Sequence, residues 1–433
     1  MSFKCSLAFF FFLLVSSLLN AQVLNVSPYS TYGIGDVNTR NLVASRGMGG
    51  VQTALYQFDY FNPKNPAGNA FLTKPLFDLG VRAQSVRLAG PSGSASSAYN
   101  NINHFALAFP FAKRFALTAL LSPHTTLGYE LTQELELPKA GTVETVYKGI
   151  GGLNRASLGF SAQIIQDTLN QLSLGANFSY YFGFFDRTTE LRFIDQPGFL
   201  NSITSDNIST RGINGEYGLA YRRGLKSNNF LSLGASFEPQ RKLASKKVSS
   251  TFIFVAPEFT GSASDVVDTL IATPDTGDVV QPMHYSLGAS LNLNRKWTVG
   301  IEYDFWEWSK LEILGNNPAL ANSFSLGVGI EFWPDYRASS DLLKSGRYRT
   351  GFRYGQSRVI LDDLNLNEFG ISFGFALPLL KSRSFSSLNV ALEYGQRGSE
   401  KRNSFSESFT SVNIGVTLMP NQFDRWFYKR KIE

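Results

Sequence analysis

The nine residues from 324 to 332, FSLGVGIEF, alternate between large apolar and small or polar side chains. The even-numbered residues are all apolar, and the odd-numbered ones are Ser325, Gly327, Gly329 and Glu331. Side chains of a β-strand point alternately to its two faces, so this pattern predicts a strand with one apolar and one polar face. The same alternation recurs at 297–305 (WTVGIEYDF), 369–377 (FGISFGFAL), 388–394 and 412–418.

The composition of the two faces separates a membrane barrel from a soluble sandwich, which also alternates. The polar face is mostly Gly, Ser and Asn, and aromatic residues such as Trp297, Phe305 and Phe332 stand near the segment ends. Outer-membrane barrels have an apolar outer band flanked by aromatic girdles. No apolar run after residue 21 approaches the ~20 residues of a spanning helix. We therefore predict an all-β transmembrane barrel in the outer membrane of a Gram-negative-type bacterium.

Fourteen segments carry strand patterns, an even number as bacterial barrels require. The connections alternate in length, and short periplasmic turns opposite long extracellular loops are typical of such barrels. One longer periplasmic connection, 334–347, has room for a helical turn at 338–344. The predicted strands are 77–88, 102–111, 114–127, 146–166, 171–186, 211–223, 229–242, 282–293, 296–307, 321–333, 348–356, 367–378, 386–396 and 409–418.

Residues 1–21 have the pattern of a secretory signal peptide. Lys4 supplies the positive start, 7–19 is apolar, and the segment ends in the small residue Ala21. The single cysteine, Cys5, precedes the apolar run, so we expect a mature chain without disulfides or cysteine metal ligands. The net charge of +6 is mild and does not indicate a nucleic-acid partner.

Between the signal peptide and the first strand lies a segment that cannot form a membrane strand. Its stretch 56–72, YQFDYFNPKNPAGNAFL, contains two Asn-Pro turns and Gly68, and proline donates no hydrogen bond to a strand ladder. We expect 22–76 to form a hatch, or plug, inside a barrel made of 77–419, followed by a tail at 420–433.

The sequence NPAG at 65–68, preceded by RGMGG at 46–50 and followed by the first strand, resembles the N-terminal hatch of FadL-type outer-membrane transporters. The stretch 27–36, SPYSTYGIGD, is similar to the mature N-terminus of PorV-like relatives. The resemblance implies a plugged barrel of fourteen strands and passive uptake of hydrophobic small molecules such as long-chain fatty acids. For PorV-like members it implies instead a non-transporting subunit of an outer-membrane protein export or assembly complex.

The resemblance also implies that the hatch motif decides whether a ligand passes. The candidate ligand or hatch residues are Phe61, Asn62, Asn65, Pro66, Ala67 and Gly68. Aromatic residues of the hatch and loops either line a ligand path or simply pack the plug. They are Phe58, Tyr60, Phe61, Phe199 and Phe259.

The third predicted strand contains Pro123, where a ladder donor is expected. In FadL-type transporters a distortion of the third strand opens the wall sideways, so Pro123 is a candidate for a lateral opening. The alternative is that Pro123 lies at the extracellular rim, where a barrel strand tolerates proline.

Because side chains alternate along a strand, the carboxylates on the polar faces are expected to point into the lumen. They are Glu302, Asp304, Glu331 and Glu393. Paired carboxylates can be catalytic, but in a plugged barrel we expect them to form salt bridges with basic residues of the hatch. The candidate partners are Arg40, Arg46 and Lys64.

After the last strand, Pro420 begins a tail that mixes aromatic and basic residues. It is either an anchor at the membrane surface or a periplasmic docking peptide for a partner protein. Its candidate contact residues are Trp426, Lys429, Arg430 and Lys431.

The chain shows no recognisable catalytic, cofactor or metal motif. His104, His124 and His284 lie in no motif with a serine or carboxylate, and the sequence has no P-loop, HExxH or GxSxG pattern. We therefore expect a protein that is not an enzyme and holds no cofactor or metal. Its expected partners are outer-membrane lipids and either a hydrophobic small molecule or a larger outer-membrane barrel of a secretion or assembly complex.

Overall fold

The computed structural model describes residues 27–90, 93–138, 141–196, 198–255, 266–335, 342–361, 364–379, 385–398 and 406–420. Within these ranges twenty strands form one sheet in which the pairings are antiparallel. No helix in the described part of the chain is long and apolar enough to cross a membrane. The strands are β1 (Asp36–Val37), β2 (Leu76–Gly90), β3 (Gly93–Phe111), β4 (Phe115–Pro123), β5 (Thr125–Leu137), β6 (Gly141–Gln166), β7 (Asn170–Phe193), β8 (Asn201–Gly224), β9 (Phe230–Glu238), β10 (Arg241–Phe254), β11 (Val266–Ile271), β12 (Asp275–Gln281), β13 (His284–Leu293), β14 (Trp297–Trp306), β15 (Glu312–Ile313), β16 (Ser323–Phe332), β17 (Arg347–Leu361), β18 (Leu364–Pro378), β19 (Ser387–Gly398) and β20 (Ser406–Leu418).

Fourteen strand positions close into a ring among the described residues, and the predicted all-β barrel with this number of strands is confirmed. The ring closes where β2 pairs with β20, from Phe77–Leu418 to Ala89–Ser406. Three positions are each shared by two consecutive strands with a break between them: β4 with β5, β9 with β10, and β12 with β13. Strands β1, β11 and β15 lie outside the ring of fourteen.

Each of the three breaks falls beside a proline. β4 ends at Pro123, Pro239 follows β9, and Pro282 follows β12. Proline lacks the N–H that a continuous ladder requires, so the pairing is interrupted at each of these positions. Of these three prolines, only Pro123 is predicted from the sequence to interrupt a strand.

Several connections predicted as long extracellular loops are strands instead. The predicted loop 89–101 belongs mostly to β2 and β3, whose pairing continues to Gly90–Gly93. The predicted loops 128–145 and 187–210 are largely the outer ends of the β5–β6 and β7–β8 pairs. Strands that rise beyond the membrane need no apolar face, so their alternation is weak in the sequence.

The two faces of the ring have the character that parity predicts. On β16, Leu326 and Val328 are exposed on the outer face, whereas the intervening Gly327 and Gly329 lie inside. Glu331, on the same inner face, is only 4% exposed. The outer apolar surface therefore belongs to the membrane, and the inner surface encloses other parts of the chain.

The inner face of the ring contacts residues 27–75, which we call the inner segment. It contains three short helices, Pro28–Thr31, Val43–Arg46 and Pro66–Phe71, together with β1. From 42 to 56 and from 60 to 72 its residues are buried. The predicted domain limits at 22, 76 and 419 remain predictions, because 22–26 lies outside the described residues and β20 ends at Leu418.

The periplasmic connection after β16 contains a short helix, Leu342–Ser345. The sequence predicts a helical turn at 338–344, and residues 338–341 of that span lie outside the described residues. The helix thus covers the end of the predicted turn.

Glycines on the inner face let the backbone of the inner segment approach the wall. A Cβ added at Gly351 would lie 2.1 Å from the N of Gly49, and one at Gly329 would lie 2.2 Å from the O of Met48. Real Cβ atoms do not come this close to a backbone, so any side chain here would force the two layers apart.

We expect Gly351→Ala to loosen the inner segment, because overpacking of a close contact costs about 1–3 kcal/mol. The measurement is thermal unfolding of the detergent-solubilised barrel, combined with protease digestion of the N-terminal part. Gly198→Ala is the matched control, since a Cβ there meets nothing within 4 Å. Equal midpoints and equal digestion for both variants would contradict this packing.

Candidate functional site

The predicted hatch motif forms a compact turn held by its own asparagines. The Asn62 side chain accepts hydrogen bonds from the N–H groups of Lys64 (3.2 Å) and Asn65 (2.8 Å). Its amide group donates to the O of Gln52 at 2.7 Å. Asn65 in turn caps the helix Pro66–Phe71 by accepting from Ala67 N–H at 3.1 Å.

The same motif is fastened to the wall. Asn65 donates to the O of Leu219 on β8 at 2.9 Å, and Ser173 on β7 donates to the O of Ala67 at 2.7 Å. Pro66 and Ala67 lie against Gly175, where an added Cβ would meet their backbone at 2.4 to 2.5 Å. The motif is therefore a fixed contact with two strands.

The remaining motif residues pack inside the barrel. Gly68 lies against the ring of Tyr56, which stacks on Phe71 with ring centroids 5.1 Å apart. Phe61 belongs to a buried apolar cluster that also includes Tyr60 and Leu76. These positions favour packing as the role of the hatch aromatics.

Lys64 connects the motif to β14 through a buried charge cluster. Its Nζ lies 2.5 Å from Glu302 Oε1 and 2.9 Å from Asp304 Oδ2. Glu302 also accepts hydrogen bonds from the backbone N–H groups of Gln52 (2.6 Å) and Thr53 (2.5 Å). Burial disfavours the ammonium, but the two carboxylates favour it by more, so the pKa of Lys64 lies above its ordinary value.

Arg40, one of the predicted basic partners, makes a second buried cluster with carboxylates that were not among the predicted ones. Its guanidinium pairs with Glu216 on β8 and with Glu238 on β9, the latter at 2.7 Å. Glu238 also accepts from Tyr181 (2.5 Å) and Gln281 (2.8 Å). The sequence does indicate that Glu216 faces inward, because it lies between the apolar positions of the alternating stretch INGEYGL at 213–219.

Glu331 and Glu393 pair mainly with arginines of the wall. Arg349 lies 2.7 Å from Glu331, and Arg353 lies 2.7 Å from Glu393. The inner segment contributes Gln57, which donates to Glu331 at 3.0 Å, and Arg46, 3.8 Å from Glu393. These two carboxylates therefore hold the wall together as well as the inner segment.

A partly open cavity of about 150 Å³ lies between residues 36–40 and the strands. It is smaller than the roughly 300–1,000 Å³ of ordinary small-molecule pockets. Its lining is rich in charged and indole side chains, among them Arg40, Lys64, Asp304, Trp306, Trp308 and Arg358. The lining therefore combines ion pairs with apolar indole rings.

The wall is interrupted at Pro123. The β3–β4 pairing ends at Phe105–Leu121, and no further pair joins β3 to β4 or β5 among the described residues. The third strand also contains one extra residue there, since Pro123 pairs with Asn154 but Leu127 pairs with Gly151. This is the geometry of a β-bulge.

The inner side of this interruption is covered by the inner segment. β1 pairs with Thr125 and Thr126, and Asn38 N–H donates to the O of His124 at 2.9 Å. On the other edge, Asn103 donates to the O of Asn41 at 3.0 Å. The space left between these parts is about 10 Å³, room for a single water at most.

Outside the interruption, an apolar groove of about 480 Å³ lies on the membrane face. It runs over β3, β4, β6, β7 and β8. Its lining includes Phe105, Leu121, Leu158, Phe178, Tyr180 and Ile213.

The other predicted contact residues lie apart from the lumen or outside the described residues. Phe58 packs edge-on against Phe385 at 4.8 Å, and Phe199 contacts Phe193 at 4.9 Å in an exposed position. Phe259 and the tail residues Trp426, Lys429, Arg430 and Lys431 are outside the described residues. The described part of the chain has no group of three or more metal-ligating side chains.

Comparisons with known proteins agree with this architecture. The model of the family described as BamG matches residues 3–433. No curated protein sequence matches the chain. The toluene transporter TodX of Pseudomonas putida is similar in structure at 17% identity, covering 88% of this chain and 99% of TodX with a TM-score of 0.55.

Two further solved structures are similar. A FadL homologue of Pseudomonas aeruginosa has 14% identity, covers 90% of this chain and 99% of its own, and gives a TM-score of 0.55. The CymD monoaromatic hydrocarbon channel has the same identity and coverage with a TM-score of 0.54. At these identities the likeness establishes the shared fold, a FadL-type outer-membrane barrel.

We expect Lys64→Met to destabilise the barrel strongly, because it leaves Glu302 and Asp304 buried without a cation. Removing one partner of a buried ion pair costs about 3–5 kcal/mol. The measurement is the free energy or midpoint of unfolding in detergent, and Lys64→Met with Glu302→Gln should recover part of the loss. Lys148→Ala is the control, since its pair with Glu130 is exposed and such pairs contribute about 0–1 kcal/mol. Equal effects of Lys64→Met and Lys148→Ala would refute the fastening role.

Proposed function

The chain belongs to the BamG family, and we propose that it is a non-enzymatic barrel whose lumen stays shut and which serves as a subunit of an outer-membrane protein assembly complex. The name BamG points to such a complex. The sequence patterns alone favour uptake of hydrophobic molecules as the first hypothesis. The way the inner segment is fastened reverses that order.

The observation that carries the proposal is the pair of buried charge clusters at Lys64 and Arg40. Together they join the inner segment to β8, β9 and β14. Moving the segment would leave carboxylates buried without cations, at about 3–5 kcal/mol for each broken pair. A hatch that moves for each ligand molecule is expected to be held less firmly.

The size and lining of the cavity support the same conclusion. A space of about 150 Å³ that also holds the charged groups of Arg40, Lys64 and Asp304 is smaller than the pockets that ordinarily take a drug-sized ligand. The protein would then act through its outer surfaces. The tail at 420–433 remains our candidate for a periplasmic contact with a partner.

Purification from native membranes in mild detergent tests this proposal. We expect the protein to be recovered in a stoichiometric complex with a larger outer-membrane barrel. Removal of 421–433, which carries Trp426, Lys429, Arg430 and Lys431, should weaken the recovery of that partner. A lone barrel that carries copurified lipid in its lumen would contradict the proposal.

Uptake of hydrophobic molecules is the second candidate. It is favoured by the interrupted β3–β4 pairing beside Pro123 and by the apolar groove outside it. In that case residues 38–42 would have to leave the interruption, because they now fill its inner side.

A disulfide between the inner segment and the wall separates the two candidates. The hydroxyls of Thr53 and Ser286 lie 2.6 Å apart, and the chain has one natural cysteine, Cys5 in the predicted signal peptide. We expect Thr53→Cys with Ser286→Cys to leave outer-membrane integrity and complex recovery unchanged when oxidised. Each single variant is the control. Loss of hydrophobic probe uptake on oxidation, restored by reductant, would instead establish a moving hatch.

A further inference from the structure

Beyond Gly128, strand β5 is paired along one side only among the described residues. Its ladder with β6 runs from Leu127–Gly151 to Leu137–Gly141. On its other side β1 pairs with Thr125 and Thr126, and Ser27 N–H donates to the O of Gly128 at 3.1 Å. Beyond Gly128 no strand of the described residues pairs with this side, since the β3–β4 pairing ends at Phe105–Leu121 and does not continue along β5.

The backbone groups that face the free side can be identified. Gly128 both donates to Ser30 Oγ (3.2 Å) and accepts from Ser27, so its N–H and C=O point away from β6. In an antiparallel strand the N–H and C=O of a residue point to the same side, and the side alternates along the chain. The even-numbered residues 130, 132, 134 and 136 therefore present a row of hydrogen-bonding groups to the free side.

The side chains along this edge form one acidic and one apolar face. Glu130, Glu134 and Glu136 share one face of β5, and the described residues give an ion pair only to Glu130, with Lys148 at 3.2 Å. On the other face, Leu131, Leu135 and Leu137 are 38%, 55% and 40% exposed. Each of these leucines therefore leaves a substantial part of its apolar side chain uncovered.

The charges select among the molecules that could cover the edge. A second copy of β5 added edge to edge would bring glutamates against glutamates, and like charges on neighbouring strands are destabilising. The phosphates of lipopolysaccharide would be repelled in the same way. A strand with lysine or arginine at alternate positions would pair with Glu134 and Glu136 while its apolar residues cover the leucines.

We propose that the free edge of β5, residues 130–137, is a docking site for an extended basic segment of a partner protein, which adds to the sheet as a strand. Main-chain hydrogen bonds supply the contact in this mode of recognition, and alternate side chains supply the specificity. The edge lies at the end of the barrel opposite the short turns, so the partner segment is on the extracellular side. The inference rests on the proposed function, because the partner is then another subunit of the complex.

The test uses a proline that damages only the free side. Glu134→Pro removes an N–H that β6 does not use, and proline is tolerated at such edge positions. A photo-crosslinking amino acid at Thr132 reports the partner in living cells. The same label at Thr269, an exposed threonine on β11, is the matched control.

We expect the Thr132 label to form crosslinks to a protein segment with lysine or arginine at alternate positions, mapped by mass spectrometry. Glu134→Pro should reduce this product at least tenfold. Glu134→Gln with Glu136→Gln, which keeps the backbone, should reduce it several-fold. Gel mobility of the unheated protein verifies that each variant is a folded barrel.

The proposal is overturned if the label reaches only lipopolysaccharide, a second copy of the chain, or a segment without alternating basic residues. It is also overturned if no product forms or if Glu134→Pro leaves the yield unchanged. A complex that copurifies intact from the Glu134→Pro variant would reject this edge but keep the assembly function. Absence of any complex from the unmodified protein would reject the assembly function itself.

Discussion

The structure depends on the neutralisation of buried charge across the lumen. Glu302 and Asp304 are fixed on β14, and Lys64, which stands between them, comes from the inner segment. A buried carboxylate without a cation is unfavourable, so separating the inner segment from the wall would cost about 3–5 kcal/mol for each broken pair. Arg40 has the same relation to β8 and β9. The inner segment is therefore part of the electrostatic structure of the wall.

Close packing and charge act on the same segment in different ways. Inner-face glycines such as Gly329 and Gly351 allow the backbone at Met48–Gly49 to lie directly against the strands. Side chains at these glycines would push the inner segment away from the strands, and the short ion pairs between Lys64 and β14 depend on the close approach of the two layers. The glycines determine how closely the inner segment approaches the wall, and the ion pairs determine which of its residues lies opposite which strand. Between residues 36–40 and the strands these contacts leave a cavity of about 150 Å³.

Much of the wall can be read from the sequence, because each membrane strand must alternate between lipid and lumen. Parity therefore identifies Glu302 and Asp304 as inward-facing. Alternation alone cannot single out Lys64 among the three candidate partners, because the inner segment has no periodic structure that would place it opposite these carboxylates. The outer half of β3 was missed for the opposite reason, since a strand above the membrane needs no apolar face. For Glu216 the alternation indicates an inward-facing side chain, but nothing in the sequence indicates that its partner is the distant residue Arg40.

The interruption at Pro123 has two consequences that concern different sides of the wall. Because β3 leaves β5 unpaired, β1 takes its place at Thr125 and Thr126 and covers the inner side. The contacts of the inner segment with β5 end at Gly128, so the outer part of β5 has a free edge among the described residues. Passage of a ligand through the interruption requires the contacts of 38–42 to break. Docking of a strand on β5 requires no contact to break, so the wall as it stands is better suited to holding a partner than to releasing a ligand.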